Sequence, residues 1–385
     1  MCQSGVTCKS RRITQTINAY SGISYGISLI RDAFEGKIQY LQIMDELGNV
    51  DSSMFPQELT DDKLVEMLKL MLLTRNSDNK VVSLQRQGRC ATYALSLGEE
   101  AVNIGTVMAM RKKDLFVPAF RQHGVYFARG LPLHLFYMYW MGFEEGNIIP
   151  PEVGGFPMSV PVGTQMPHAA GMAFAQKYKK TGNVVIAYVG DGGTSEGDFY
   201  EAINFAGVWK APLVVIIQNN QWAISMPRSK QTAAQTLAQK AFAAGIPGIQ
   251  VDGNDAVAVY KVTADAIKNA PDGPTVIECI TYREGMHTTS DDPTKYRDDA
   301  EVNAWLKKDP ILRLKLYLVK KNLWNDDIEA KVTAEQTKLI DAEVEIAESF
   351  KPDPKAIFHD VYSFIPETLN EELKDAEANN FWQGE

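Results

Sequence analysis

Two short polar stretches, each closing an apolar β-branched run, carry the residue types that hold a hard cation. VVIAYV at 184–189 runs into Gly190-Asp191-Gly192-Gly193, and LVVII at 213–217 runs into Gln218-Asn219-Asn220. Mg²⁺ takes one or two carboxylate or amide oxygens from protein and fills its octahedral shell with phosphate oxygens and water. An Asp ending one strand and an Asn ending its neighbour, with a diphosphate between them, would supply most of that shell. The obvious competitor is a dinucleotide fingerprint over Gly190–Gly197. It fails at its third glycine, where the chain has Ser195, and Asp191 would set a carboxylate against a pyrophosphate unless a divalent cation lay between. Either stretch alone is more often a turn or a cap. Together, 29 residues apart from Asp191 to Asn220, they are far more specific. A third stretch, after a later strand, carries Arg283, Gly285 and His287.

These stretches need a scaffold that brings strand ends together. The run DFYEAINFAGVW at 198–209 has helical period through Phe199, Ile203 and Ala206. It lies between the two apolar runs, which completes a βαβ unit with parallel strands buried on both faces. Further strands are predicted at Leu115–Val117, Ile249–Val251 and Thr275–Thr281. Helices are predicted at Glu99–Met110, Pro132–Met141, Gln165–Lys179 and Ala256–Asn269. The segment from Phe34 to Leu73 reads as helical and partly linking, with Thr60 as N-cap before Asp61 and Asp62 and a periodic run of Leu64, Leu68, Met71 and Leu72. Beyond Arg297 the chain turns helical and polar. The fold class is α/β: a doubly wound, mostly parallel sheet flanked by helices, with helical N- and C-terminal extensions. Ligands of such sheets bind outside the carboxyl ends of the strands, where all three polar stretches lie.

Composition narrows the function classes. Of 385 residues, 45 % are apolar and 23 % charged, and the net charge is −9, which argues against a general nucleic-acid binder. Residues 341–385 hold twelve acids against three bases, leaving 36 of each in the rest. The body is neutral and the last segment carries the whole excess. Cys2, Cys8, Cys90 and Cys279 show no CxxC spacing, the simplest reading being a reducing cytoplasm. No apolar run has the length of a membrane span. The first 31 residues contain Lys9, Arg11, Arg12 and Arg31 and no acid; they read as a frayed extension, with an organelle transit peptide and a mitochondrial-matrix location as the alternative. Three parts follow: an extension at 1–36, an α/β domain at 37–340 and an acidic helical segment at 341–385.

At this point the chain resembles a known family. The stretch GDGGTSEGDFYEAINFAGVWKAPLVVIIQNNQWAIS at 190–225 is similar to the thiamine-diphosphate motif of the alpha subunits of the decarboxylating component of 2-oxo acid dehydrogenase complexes. The resemblance extends to QRQGR (85–89), FRQHG (120–124), GTQMPHAAG (163–171), AGIPGIQVDGND (244–255) and HTTSDDPTKYR (287–297), so it covers roughly residues 37–365. Among the branches, bacterial pyruvate dehydrogenase alpha subunits are the most similar.

The resemblance implies roles for named residues. Asp191 and Asn220 would ligate Mg²⁺ through their side chains and Trp222 through its backbone oxygen. Gly192 and Gly193 would let the backbone approach the diphosphate, Arg121 would pair with one of its oxygens, and Phe120 would pack beside the cofactor. Gly163 and Thr164 would place the start of a helix near anionic groups, and His287 would line the channel where substrate and a lipoyl arm meet the cofactor. Gly98-Glu99-Glu100 and Thr164-Gln165 resemble the branched-chain pattern, where Thr164-Gln165 would support a potassium site, whereas Asp191 and Gln218 lean toward the pyruvate branch. One α/β module is visible, and the family places the second, with its activating glutamate, on a separate beta chain. The implied partners are that beta subunit in an α2β2 heterotetramer, the lipoyl and peripheral-subunit-binding domains of an acyltransferase core, and a 2-oxo acid.

Other readings stay in view. Branched-chain 2-oxo acids or acetoin could replace pyruvate, a nicotinamide oxidoreductase would bind NAD without Mg²⁺, and a non-catalytic scaffold would keep only the fold. His123 and His168 fit pocket lining and packing equally well, Arg86 and Arg89 fit surface ion pairs, and Phe136, Tyr137, Tyr139 and Trp140 fit core or subunit contact.

Overall fold

The computed structural model describes residues 34–353, 355–359 and 361–379. Residues 1–33 of the expected N-terminal extension lie outside them. From Ile38 on, the chain forms one compact unit. In chain order its elements are β1 (Tyr40–Leu41), α1 (Asp61–Arg86), α2 (Glu100–Ala109), β2 (Leu115–Val117), α3 (His123–Ala128), α4 (Leu133–Met141), α5 (Gln165–Tyr178) and β3 (Val185–Gly190). They continue through α6 (Gly197–Trp209), β4 (Leu213–Asn219), β5 (Trp222–Ala223), β6 (Met226–Pro227), α7 (Arg228–Gln231), β7 (Gly248–Asp252), α8 (Ala256–Asn269) and β8 (Thr275–Ile280). The C-terminal part is helical: α9 (Asp299–Leu306), α10 (Pro310–Lys320), α11 (Asp326–Ser349), α12 (Ala356–His359) and α13 (Glu367–Ala378).

Among the described residues one sheet has six strands, in the spatial order β1-β7-β8-β4-β3-β2. Every neighbouring pair in it is parallel. The β-branched runs explain its place in the molecule. Alternate side chains of β3 and β4 point to opposite faces, and both faces are apolar. Ile186, Tyr188, Val214 and Ile216 join a core with Met71 of α1, Ile104 of α2 and Val259 of α8. Val185, Ala187, Val189, Val215 and Ile217 join a second core with Ala169 and Ala173 of α5 and Phe199 and Ile203 of α6. Each β-branched or Leu side chain so buried contributes roughly 1.5–3 kcal/mol.

The register then delivers the polar stretches to one edge. Gly190 lies opposite Gln218, and Asn219 lies opposite Ile280. Asp191, Asn220 and the segment from Thr281 to His287 therefore leave the sheet side by side.

Two expectations are corrected. Residues 34–60 are not helical: they run as extended chain and turns, and Tyr40–Leu41 pairs with Gln250 and Val251 as an edge strand. Helical period begins only at Leu64, after Thr60 caps α1 by accepting from the Lys63 N–H, and α1 then continues past Leu73 to Arg86. The acidic segment also begins inside α11, whose Ile340, Val344 and Ala347 are buried core residues.

Candidate functional site

A cavity of ≈ 430 Å³ opens at the carboxyl ends of β3 and β4, within the ordinary range for cofactor sites. Eight of the ten expected site positions line it: Phe120, Arg121, Asp191, Gly192, Gly193, Asn220, Trp222 and His287. Gly163 and Thr164 are not in its wall. Gly163 sits at φ +89 against Glu196, and the Thr164 hydroxyl is turned back to the Pro161 carbonyl at 3.1 Å. Their neighbours Pro161, Val162 and Gln165 line the cavity instead.

Asp191 is buried, and its Oδ2 has no hydrogen-bond partner. An unpartnered buried carboxylate oxygen is costly unless a cation or proton meets it. Burial pushes the Asp191 carboxyl up to about 6, with Arg283 and Arg121 opposing that rise. Asn220 donates from Nδ2 to Glu99 at 2.7 Å, which leaves Oδ1 as its ligand atom; that oxygen accepts the Trp222 N–H at 3.2 Å. The Trp222 carbonyl accepts from Arg283 at 3.1 Å, so a cation there would share it, using the second lone pair. Among the described residues no cluster of three His, Cys, Asp or Glu could hold a metal. One carboxylate, one amide and one carbonyl fit Mg²⁺ only when phosphate oxygens complete the shell, so the donor set fits a Mg²⁺–diphosphate pair.

Arg121 organises the opposite wall. Its guanidinium reaches the Leu95 carbonyl, the His287 carbonyl at 2.7 Å and His287 Nδ1 at 2.9 Å. Those contacts leave two of its five N–H donors for an anion. A guanidinium only donates, so Nδ1 accepts and the imidazole proton sits on Nε2. Burial, with Arg121 and Arg283 nearby, holds the His287 pKa down to about 3. His287 is thus a neutral ring with one N–H donor left, and Asp291 accepts its backbone N–H at 2.8 Å.

Comparison with known proteins gives this site a family. The model of the dehydrogenase E1 component family matches residues 68–356. The chain is also 44 % identical over 344 residues to proteins named pyruvate dehydrogenase E1 component subunit alpha from Staphylococcus aureus and Staphylococcus epidermidis, covering 88 % of this chain and 93 % of each relative. The chain belongs to the dehydrogenase E1 component family.

In this E1 component chain the sequence reading names Glu99 and Gln165 only for their likeness to the branched-chain pattern and gives Gln231 no role, yet all three line the wall. Glu99 is fully buried and binds Asn220 at 2.7 Å and Gln218 Nε2 at 3.0 Å, with Arg121 at 4.0 Å. Burial raises its carboxyl to about 7, against Arg121 and the Asn220 amide. Gln165 and Gln231 each line the cavity with a buried, unpartnered Oε1. A glutamate just before a helix reads as a capping acid, but Glu99 makes no cap and turns inward. Neutral glutamines carry no chemical signal in a lone sequence.

The weaker histidine and arginine candidates separate cleanly. His123 is core: fully buried, bonded through Nε2 to the Ala94 carbonyl at 2.9 Å and stacked on Tyr93. His168 is exposed and donates to the Thr164 carbonyl. Arg89 forms a two-pronged pair with Glu348 at 2.6 and 2.7 Å, and Arg86 is exposed. Phe136, Tyr137 and Trp140 are buried core.

Proposed function

We propose that this chain is the alpha subunit of a thiamine-diphosphate-dependent pyruvate dehydrogenase component, holding the Mg²⁺–diphosphate end of the cofactor in the cavity above β3 and β4. The unpartnered Asp191 Oδ2, facing Asn220 across adjacent strand ends, carries this reading. Bound thiamine diphosphate supplies the electron sink for decarboxylation of a 2-oxo acid. Asp191, Asn220 and the Trp222 carbonyl hold the cation, and Arg121 binds a diphosphate oxygen with its free donors. His287, pinned through Nδ1 by Arg121, presents its Nε2 proton to a substrate or lipoyl-bound oxygen or sulfur and orients it. The Gly192–Ser195 turn is held by Gln231, which donates to the Gly192 carbonyl at 3.1 Å.

The pyrimidine half of the site comes from a beta subunit in an α2β2 assembly. Support for a partner chain lies on the C-terminal halves of α5 and α6, the ends away from the cavity. Phe174, Tyr178, Phe205 and Val208 stand 40, 78, 49 and 73 % exposed, and contiguous apolar exposure of this kind marks protein interfaces. The product acyl group passes to the lipoyl domain of an acyltransferase core, whose peripheral-subunit-binding domain holds the complex together, in the cytoplasm. No helix among the described residues is long and apolar enough to cross a membrane. Pyruvate is preferred over branched-chain 2-oxo acids and acetoin on the names of the Staphylococcus relatives.

Co-expression with a beta chain tests this. Turnover is expected only in the assembled protein, dependent on Mg²⁺ and thiamine diphosphate, and faster on pyruvate than on 3-methyl-2-oxobutanoate by about 10- to 200-fold. Full activity of the chain by itself would refute the two-chain site, and a reversed preference would reassign the substrate.

A further inference from the structure

Within the stretch Asp191–Glu196 that borders the cavity, Thr194 alone stands outside the wall, and it is fully buried. The side chain that meets it there is Lys240. Lys240 lies in the short 3₁₀ run Ala238–Ala244 and is only 7 % exposed. Side chains three apart in such a run share a face. Leu237, three residues earlier, is buried in the core with Phe199 and Ile203 of α6, so Lys240 is drawn inward with it.

Its Nζ donates to the Thr194 carbonyl at 2.7 Å and to the Thr194 hydroxyl at 2.9 Å. That hydroxyl donates in turn to the Asp191 carbonyl at 2.7 Å, which also accepts the Thr194 N–H at 3.2 Å. A hydroxyl can accept and donate at once, so a single side chain links the amine to the backbone of Asp191. Gln231, itself a wall residue, holds the same turn at the Gly192 carbonyl and the Ser195 hydroxyl.

An ammonium buried this far is costly unless its charge is answered. Both of its hydrogen bonds go to neutral oxygens, and the Tyr200 ring lies 5.3 Å away. Glu278 of β8 attracts it, yet gives its own oxygens to the Asn219 amide at 2.7 Å, the Ala238 N–H at 2.9 Å and the Gln250 amide at 3.0 Å. Arg228 adds positive charge nearby. A diphosphate carries more negative charge than one Mg²⁺ cancels, so a positive charge behind the turn favours it.

We propose that Lys240 is a positioning residue for cofactor binding: through Thr194 it fixes the Asp191–Ser195 turn before the diphosphate arrives, and it sets a buried positive charge behind that turn. A turn ordered in advance loses less entropy on binding. The effect on cofactor affinity rests on the function proposed above, whereas the bracing of the turn does not.

Lys240→Met keeps the length of the side chain and removes its charge and donors; Lys240→Arg restores both. The readouts, on the full chain assembled with its beta subunit, are calorimetric affinity for thiamine diphosphate at saturating Mg²⁺, hydrogen exchange of residues 191–196 without cofactor, and pyruvate turnover against cofactor concentration. Lys240→Met is expected to bind thiamine diphosphate about 10- to 100-fold more weakly, to exchange faster at 191–196, and to recover turnover as the cofactor is raised. Lys240→Arg should regain most of the affinity and the slow exchange. A merely structural lysine would lower melting temperature and kcat together and leave the cofactor affinity of the folded protein unchanged. That outcome, or no rescue by arginine, would overturn the proposal. If Lys240→Met does not assemble, Thr194→Val cuts the hydroxyl link alone and is expected to show a smaller loss of the same kind; wild-type affinity in that variant would also overturn the proposal. Faster exchange at 191–196 in Lys240→Met, in a protein whose wild type binds no thiamine diphosphate, would overturn the functional reading and leave the brace standing.

Discussion

Glu99 and Glu100 are adjacent in the chain, yet they serve two buried charge systems of opposite kind. On the cavity side, Glu99 and Asp191 face Arg121 and Arg283, a formal balance of two and two. On the far side, Glu100 and Asp309 share Arg75 at 2.8 and 2.6 Å, two against one. The balanced set leaves an acid oxygen empty at a cavity wall, where a cation and its anion can enter together. The second set opens to solvent at its edge, where the Arg75 and Asp309 side chains are 21 and 11 % exposed. Burial raises carboxyl pKa values in both places; what differs is access.

The largest effect should come from breaking the balance of the cavity. Arg121→Leu leaves Glu99 without its guanidinium and releases His287 and Leu95, so a loss of about 3–5 kcal/mol is expected in denaturant unfolding of the assembled protein. An unchanged midpoint would show that Arg121 does not compensate Glu99. A smaller change would make the cavity resemble the cluster behind it. Asn220→Asp replaces a donor to Glu99 by a second acceptor, and the cofactor-free protein is expected to lose about 1–3 kcal/mol. Mg²⁺ should restore part of that in a thermal melt, and failure to do so would place the cation elsewhere. Least of all should come from Arg89→Ala, because its pair with Glu348 has ion-pair distances as short but lies in solvent. Under about 1 kcal/mol and unchanged kcat are expected; a larger loss would mean that geometry outweighs burial.

Much of the scaffold was readable because parallel strands buried on both faces must be apolar along their whole length. VVIAYV and LVVII announce themselves, and the turns that follow them had to hold the polar atoms at the strand ends. That logic located Asp191 and Asn220. It could not locate Glu99, Gln165 or Gln231, since the direction a polar side chain takes from a helix start or a short turn depends on tertiary packing. Edge strand β1 was lost for a related reason: two residues carry no period, and their partner in β7 lies more than 200 residues away. Gly163 and Thr164 stand at the start of α5, as the motif implies, with their immediate neighbours Val162 and Gln165 in the wall.

The central claim is that the cavity binds a diphosphate through a cation held by Asp191. Calorimetric titration of thiamine diphosphate into the assembled protein, with and without Mg²⁺, for wild type and Asp191→Ala, tests it most directly. The expected result is saturable binding by wild type only with Mg²⁺, weakened about 100-fold or more by Asp191→Ala. Binding of equal strength with and without Mg²⁺, or untouched by Asp191→Ala, would contradict it.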